Sequence, residues 1–130
     1  VAEAFRLPAV LDGELLVRGL GQGMDEHGGS AASFNALQQR LGRKVVSPKT
    51  REEYPAFVRL YDLLFDGDED LRGLPWDQRR ARLEAFMPRL DPDRFDLSAL
   101  IEAEDFAALA EIRAGARDAS IEGMMLKRRD

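Results

Sequence analysis

The sequence predicts an α+β domain, strands with flanking helices, on three observations. Residues Ala56–Phe65 form a nearly continuous apolar run, Ala-Phe-Val-Arg-Leu-Tyr-Asp-Leu-Leu-Phe, which suits a strand central to a sheet. Shorter apolar stretches near the two ends, Ala9–Val17 and Ile121–Arg128, read as further strands. Between them lie segments of helical spacing punctuated by Gly and Pro.

The bulk numbers set outer limits. The chain has 130 residues, which is one domain or a piece of one. Hydrophobic residues make up 45% and charged residues 33%, the balance of a folded soluble chain. A formal charge of −5 argues against a uniformly basic nucleic-acid binder, though local basic clusters exist. Without cysteine there is no disulfide framework, thiol nucleophile or Cys-based zinc site, and the single His27 disfavours a His-ligand metal centre. No apolar run approaches membrane-spanning length and no signal peptide is recognisable, so no membrane partner is expected. The chain opens at Val1 without Met, shortly before a strand, and stops straight after another; it reads as an excerpt of a larger protein.

Taken in order, Pro8 to Leu20 reads as a strand or hairpin with a bulge at Gly13. Leu11, Gly13, Leu15 and Val17 share one face by alternation; Asp12, Glu14 and Leu16 share the other. Two carboxylates so close together suit a cation, a ribose hydroxyl or a base, because an ionised carboxylate only accepts hydrogen bonds. The alternative is an Asp-Gly turn followed by an exposed glutamate. Gly19 to Ser33, rich in Gly and small residues, reads as a flexible loop. Its Gly19-Leu20-Gly21-Gln22-Gly23 run lacks both the lysine of a P-loop and the helix a dinucleotide fold requires.

Ser33 caps a short helix through Leu41, with Phe34, Leu37 and Leu41 on its apolar face and Gly42 at the C′ position. Arg40, Arg43 and Lys44 cluster at its exit. They serve either the helix dipole or, as nucleic-acid-binding candidates, phosphate contact. Pro48 starts a second helical turn through Tyr54. After the central strand, Asp66-Gly67 is a hairpin turn into Glu69-Asp70-Leu71. Tyr61 stands mid-strand, either as core packing or as a platform for a flat ligand.

Pro75 opens a helix over Trp76–Met87, with an apolar stripe that includes Leu83, Phe86 and Met87, and Arg79-Arg80 giving a basic side. Phe95-Asp96-Leu97 begins a short extended segment. A last helix over Asp105–Arg117 turns Phe106, Leu109, Ala110 and Ile112 inward. It delivers the chain to Ile-Glu-Gly-Met-Met-Leu-Lys-Arg at 121–128. There Glu122 enters an apolar strand, which is costly unless it meets a cation or a metal, and Gly123 leaves room for a close approach.

Three of these stretches stand in an order that resembles a known family. Leu-Asp-Gly-Glu-Leu-Leu-Val at 11–17, Leu-Tyr-Asp-Leu-Leu-Phe-Asp-Gly at 60–67 and Ile-Glu-Gly-Met-Met-Leu-Lys-Arg at 121–128 resemble three nucleotidyltransferase motifs of ATP-dependent DNA ligases. Phe34–Arg40 resembles the family's Phe-x-x-Leu-Gln-x-Arg segment, and Leu74-Pro75 with Arg79-Arg80 and Leu83 resembles its Leu-Pro-x-x-x-Arg-Arg-x-x-Leu helix. Any one motif is unspecific; five in the family's order over residues 8–128 are not. Small bacterial ligases that act with helicases and nucleases in repair are the nearest type.

The resemblance implies an adenylation domain of the DNA ligase and mRNA-capping type, ATP-grasp-like, built of mainly antiparallel sheets with flanking helices and holding the nucleotide between two sheets. It implies ATP as cofactor, Mg²⁺ or Mn²⁺ as the metal, nicked double-stranded DNA as partner with helicase and nuclease repair proteins beside it, and a cytoplasmic, nucleoid-associated location in a bacterium. Carried over by position, Glu14 binds near the ribose or the divalent cation, Tyr61 stacks on adenine, and Glu122 helps hold the metal. The family's nucleophilic lysine stands in a Lys-x-Asp-Gly motif, and Lys44, Lys49 and Lys127 do not stand in one. That motif, the later Lys-x-Lys motif and the C-terminal oligonucleotide-binding domain are therefore expected outside these residues, leaving 1–130 as a partial, catalytically incomplete adenylation domain. The rivals are an RNA ligase or capping-type nucleotidyltransferase, a binding module without catalysis, and a plain α+β interaction domain.

Overall fold

The computed structural model describes residues 7–18, 34–116 and 123–130. Strand β1 is Ala9–Val17, followed by helices α1 (Phe34–Gln38) and α2 (Pro48–Glu53), strand β2 (Ala56–Asp66) and strand β3 (Glu69–Asp70). Helix α3 (Trp76–Phe86) runs into a 3-10 turn, then come strand β4 (Phe95–Leu97) and helix α4 (Phe106–Gly115). The chain divides into two compact units. One holds residues 1–15, 56–98 and 127–130; the other holds 16–55 and 99–126.

The first unit is organised on β2, the run the sequence marks as central. Strand β2 lies between β1 and β3 in the sheet and also pairs with β4. The β2–β3 hairpin is antiparallel, with Phe65 opposite Asp70 and Asp66 opposite Glu69. Its turn carries Gly67 at φ +60°, in the left-handed region such tight turns demand. The β2–β4 pair is parallel, Val58 to Leu60 facing Phe95 to Leu97, so the sheet is mixed at this edge. A parallel pair needs a crossover, and α3 supplies it while packing on β2. The core lies between them: Leu60, Leu63, Leu71, Leu83, Phe86, Leu90 and Phe95 form one buried cluster.

Strand β1 joins this sheet at a very close approach. A Cβ on Gly13 would stand 2.7 Å from the Arg59 carbonyl oxygen and 2.8 Å from Val58 Cγ1, so only glycine fits there. The exposed positions of β1 are Val10, Asp12 and Leu15, so the two-residue alternation slips at Gly13–Glu14, where the sequence predicts a bulge.

In the second unit, α2 begins as expected: Pro48 follows a Ser47 cap whose Oγ accepts from the Thr50 N–H at 3.2 Å. Helix α1 ends at Gln38, short of the predicted Leu41, so Gly42, at φ +77°, stands in the turn beyond the helix and not at its C′ position. Leu41 is half exposed rather than packed. Helix α4 starts where Asp105 accepts from the Ala108 N–H at 2.8 Å. The inward face predicted for it is not buried. Phe106 is 89% exposed and Ile112 is exposed, with only Ala108 and Leu109 half covered. An amphipathic stripe buries only against a second apolar surface, and Leu126, which shares a shallow groove with Phe106 and Leu109, is itself exposed.

The strand expected at 121–128 is not formed over its described part: residues 123–130 have no regular structure. Nor does Gly123 mark a close approach, since nothing lies within 4 Å of a Cβ built there. An eight-residue apolar segment becomes a strand only with a ladder partner, and none pairs with 123–130 among the described residues. The Gly19–Ser33 loop, the Ser33 cap, Ile121 and Glu122 lie outside the described residues. No helix among those described is long and apolar enough to cross a membrane.

Candidate functional site

Two consecutive residues of β2, Tyr61 and Asp62, carry the densest polar arrangement of the first unit. Successive side chains of a strand point to opposite faces, yet Lys127 reaches both of these. Tyr61 is half-buried, and its hydroxyl donates to Asp12 Oδ1 at 3.1 Å. That bond gives Asp12, which the sequence left without a firm role, a defined one. Burial raises the Tyr61 phenol above its usual pKa, and the Asp12 bond and the nearby charges of Asp12, Glu14 and Asp62 push it further the same way. Glu14 is half-buried on β1, close enough for its carboxylate to act on that phenol.

Asp62 is only 4% exposed and would be costly inside an apolar strand if it were alone. It is not alone. Arg79 on α3 grips it bidentately, Nε to Oδ1 at 2.9 Å and Nη2 to Oδ2 at 3.0 Å. Lys127 Nζ donates to Oδ2 at 2.7 Å, and the Leu63 N–H donates to Oδ1 at 3.0 Å. Burial works to raise the carboxyl's pKa, but the hydrogen bonds from Arg79 and Lys127 outweigh it and hold it below the ordinary 3.8. Arg79 also donates through Nη1 to the Leu74 carbonyl at 2.7 Å, which ties the helix to the Leu74-Pro75 step before it. Lys127 sits over the Tyr61 ring, 5.1 Å from its centroid.

The two arginines of α3 therefore do not form a basic outer side, as the sequence predicts. Arg80 is buried, donating from Nε to Glu84 Oε1 at 2.7 Å and from Nη1 to the Ser98 carbonyl at 2.8 Å. The signal that could have found this was present in β2. A lone Asp in an apolar run must be matched by cations, and Arg79 and Lys127 were available for it.

The basic cluster after α1 divides in the same way. Arg40 is half-buried and its Nη1 donates to the Tyr54 carbonyl at 2.9 Å, closing the α1–α2 connection. Arg43 donates from Nε to the Gln39 carbonyl at 2.6 Å, the helix-end role a cation takes against the dipole. Lys44 is exposed. Of the residues assigned from the sequence, Glu14 and Tyr61 thus come together on neighbouring strands with Asp12. Arg40, Arg43 and Lys44 lie in the second unit.

The likeness to known proteins covers the same ground. A family model described as the ATP dependent DNA ligase domain matches residues 2–130. The chain belongs to that family.

Among curated ligase relatives, the DNA ligase of Haloferax volcanii is 35% identical over 130 residues, covering 100% of this chain and 20% of that protein. The DNA ligase of Natronomonas pharaonis is 32% identical over 130 residues and 21% of its length. The multifunctional non-homologous end joining protein LigD of Pseudomonas aeruginosa is 36% identical over 118 residues, 91% of this chain and 12% of that one. A solved mycobacterial DNA ligase D, complexed with ATP and MES, superposes with a TM-score of 0.57 at 27% identity, over 94% of this chain and 32% of that one. The chain thus spans about a fifth of the length of the two archaeal ligases.

Proposed function

We propose that these residues are part of the adenylation domain of an ATP-dependent DNA ligase that seals nicked double-stranded DNA. The reaction passes AMP from ATP to a lysine, then to the 5′-phosphate at the nick, and the 3′-hydroxyl displaces it. No Lys-x-Asp-Gly or Lys-x-Lys motif stands within these 130 residues, so in this reading the nucleophile and the α-phosphate cations are not among the residues described. What supports the reading is the convergence of Tyr61, Asp12 and Glu14 on adjoining strands in a chain matched by the family from residue 2 to residue 130.

In this reading Tyr61 presents its ring to adenine from a rigid strand, and Asp12 fixes the ring by its hydroxyl. Glu14 faces the ribose or the divalent cation. The candidate donors, Glu14 and Glu122, are oxygen ligands only, a set that fits Mg²⁺ or Mn²⁺ rather than a softer metal. Among the described residues no three acidic, His or Cys side chains converge as a metal group, and Glu14 and Glu122 are ligand candidates by their place in the family's motifs alone. When bound, the cation offsets negative charge developing around the α-phosphate. Lys44, exposed after α1, is the best placed of the three cations for DNA phosphate, since Arg40 and Arg43 already hold backbone carbonyls.

The deciding measurement is the intact mass of the full-length protein carrying this chain after incubation with ATP and Mg²⁺. A gain of one AMP, lost or much weakened in Glu122→Ala, is expected. Absence of any adduct would overturn the ligase reading, and unchanged labelling in the variant would remove Glu122 from the metal site.

A further inference from the structure

The Tyr61 ring is contacted from two sides, and one of the two groups is itself anchored. Its hydroxyl is tied to Asp12 on β1, and an ammonium, Lys127 Nζ, stands over its ring. Lys127 is not a freely swinging surface lysine. Its side chain is 21% exposed, and its ammonium is anchored by Asp62 at 2.7 Å. Asp62 in turn is pinned by the two-pronged Arg79 contact, and Arg79 by the Leu74 carbonyl. An unbroken series of short contacts therefore runs from the start of α3, through β2 and the 127–130 segment, to β1.

We propose that Lys127, anchored by Asp62, is a positioning residue for the Tyr61 ring. It backs one face of the ring and leaves the opposite face for a nucleobase. The inference rests on the reading of Tyr61 as the base platform. Two physical effects act together. A cation over an aromatic face within about 6 Å is attracted to it, which resists tilting of the ring. A stacking surface whose orientation is already fixed also loses less freedom when a base lands on it. A structural tie that merely fastens residues 127–130 to the sheet would need the Asp62 contact alone, not the ring contact.

The test separates the two claims in the full-length protein by measuring the ATP concentration for half-maximal self-adenylylation. Tyr61→Ala should raise it. Lys127→Met should raise it by roughly two- to five-fold, the range a partly exposed cation–π contact carries, and Lys127→Arg should restore it. Arg128→Met, which removes only the exposed pair with Asp130, serves as the control. A second readout needs no nucleotide. In tyrosine-labelled protein, the Tyr61 ring resonances should move in Lys127→Met and return in Lys127→Arg. An effect of Tyr61→Ala with none of Lys127→Met would overturn the inference and leave the platform reading standing. No effect of Tyr61→Ala would sink the platform reading, and the inference with it. Unmoved ring resonances in Lys127→Met would overturn it whatever the kinetics showed.

Discussion

Replacing Asp62 by Asn keeps the shape of the side chain and removes its charge at the most heavily contacted acid of the first unit. The Asn oxygen can retain the Arg79 Nε and Leu63 N–H bonds that Oδ1 accepts at 2.9 and 3.0 Å. The new NH₂ then occupies the Oδ2 position, which accepts from Arg79 Nη2 and Lys127 Nζ. A donor meets two cationic donors there, so both bonds are lost. Charge-assisted bonds contribute about 1.5–3 kcal/mol each, but Arg79 and Lys127 are about a fifth exposed and regain some water. The expected loss is about 3 kcal/mol, which at a urea m-value of about 1.5 kcal/mol/M lowers the unfolding midpoint by about 2 M. Equilibrium urea unfolding followed by far-UV circular dichroism measures this directly. Asp130→Asn, which breaks only the exposed Arg128 pair, should leave the midpoint where it is. If the two variants shift it equally, the buried network contributes nothing and the argument for Asp62 fails.

Two further outcomes follow from the same geometry. Because Asp62 ionises below 3.8 in the folded chain, its contribution is complete above that pH and is lost as the pH falls through the lowered folded value. Urea midpoints of the wild type and Asp62→Asn should therefore converge in acid, and a gap that persists there would show that charge is not its source. Gly13→Ala should cost about 1–3 kcal/mol because the added methyl meets a backbone oxygen that cannot turn away, whereas Gly123→Ala, with open space around it, should be neutral by the same unfolding assay.

The parts of the fold that were legible in the sequence are those set by local chemistry. The apolar run of β2, the Gly67 turn and the helix start at Pro48 each need only a few neighbouring residues to be read. The parts that were not legible depend on distant partners. Nothing within Phe95–Leu97 says that it will lie parallel to Val58–Leu60, because three residues carry no directional pattern. The stripe of α4 has the right period but lacks an apolar surface to cover Phe106 and Ile112. At the candidate site, Glu14 and Tyr61 are named only through the resemblance to the ligase motifs. Asp12 as the hydroxyl partner and Lys127 as the ring's neighbour could not be read, since those contacts join residues 49 apart and more.

The β2–α3–β4 crossover also bears on how the chain acquires its structure. All seven residues of the buried cluster fall between Leu60 and Phe95, one uninterrupted stretch of sequence. Few long loops need closing before that nucleus rewards its own formation, so collapse there can run ahead of the docking of β1 and of residues 127–130. Backbone amides of β2 and α3 should then be the last to exchange with solvent. Tyr61 would already be displayed on a formed strand when Asp12 and Lys127 arrive to close around it.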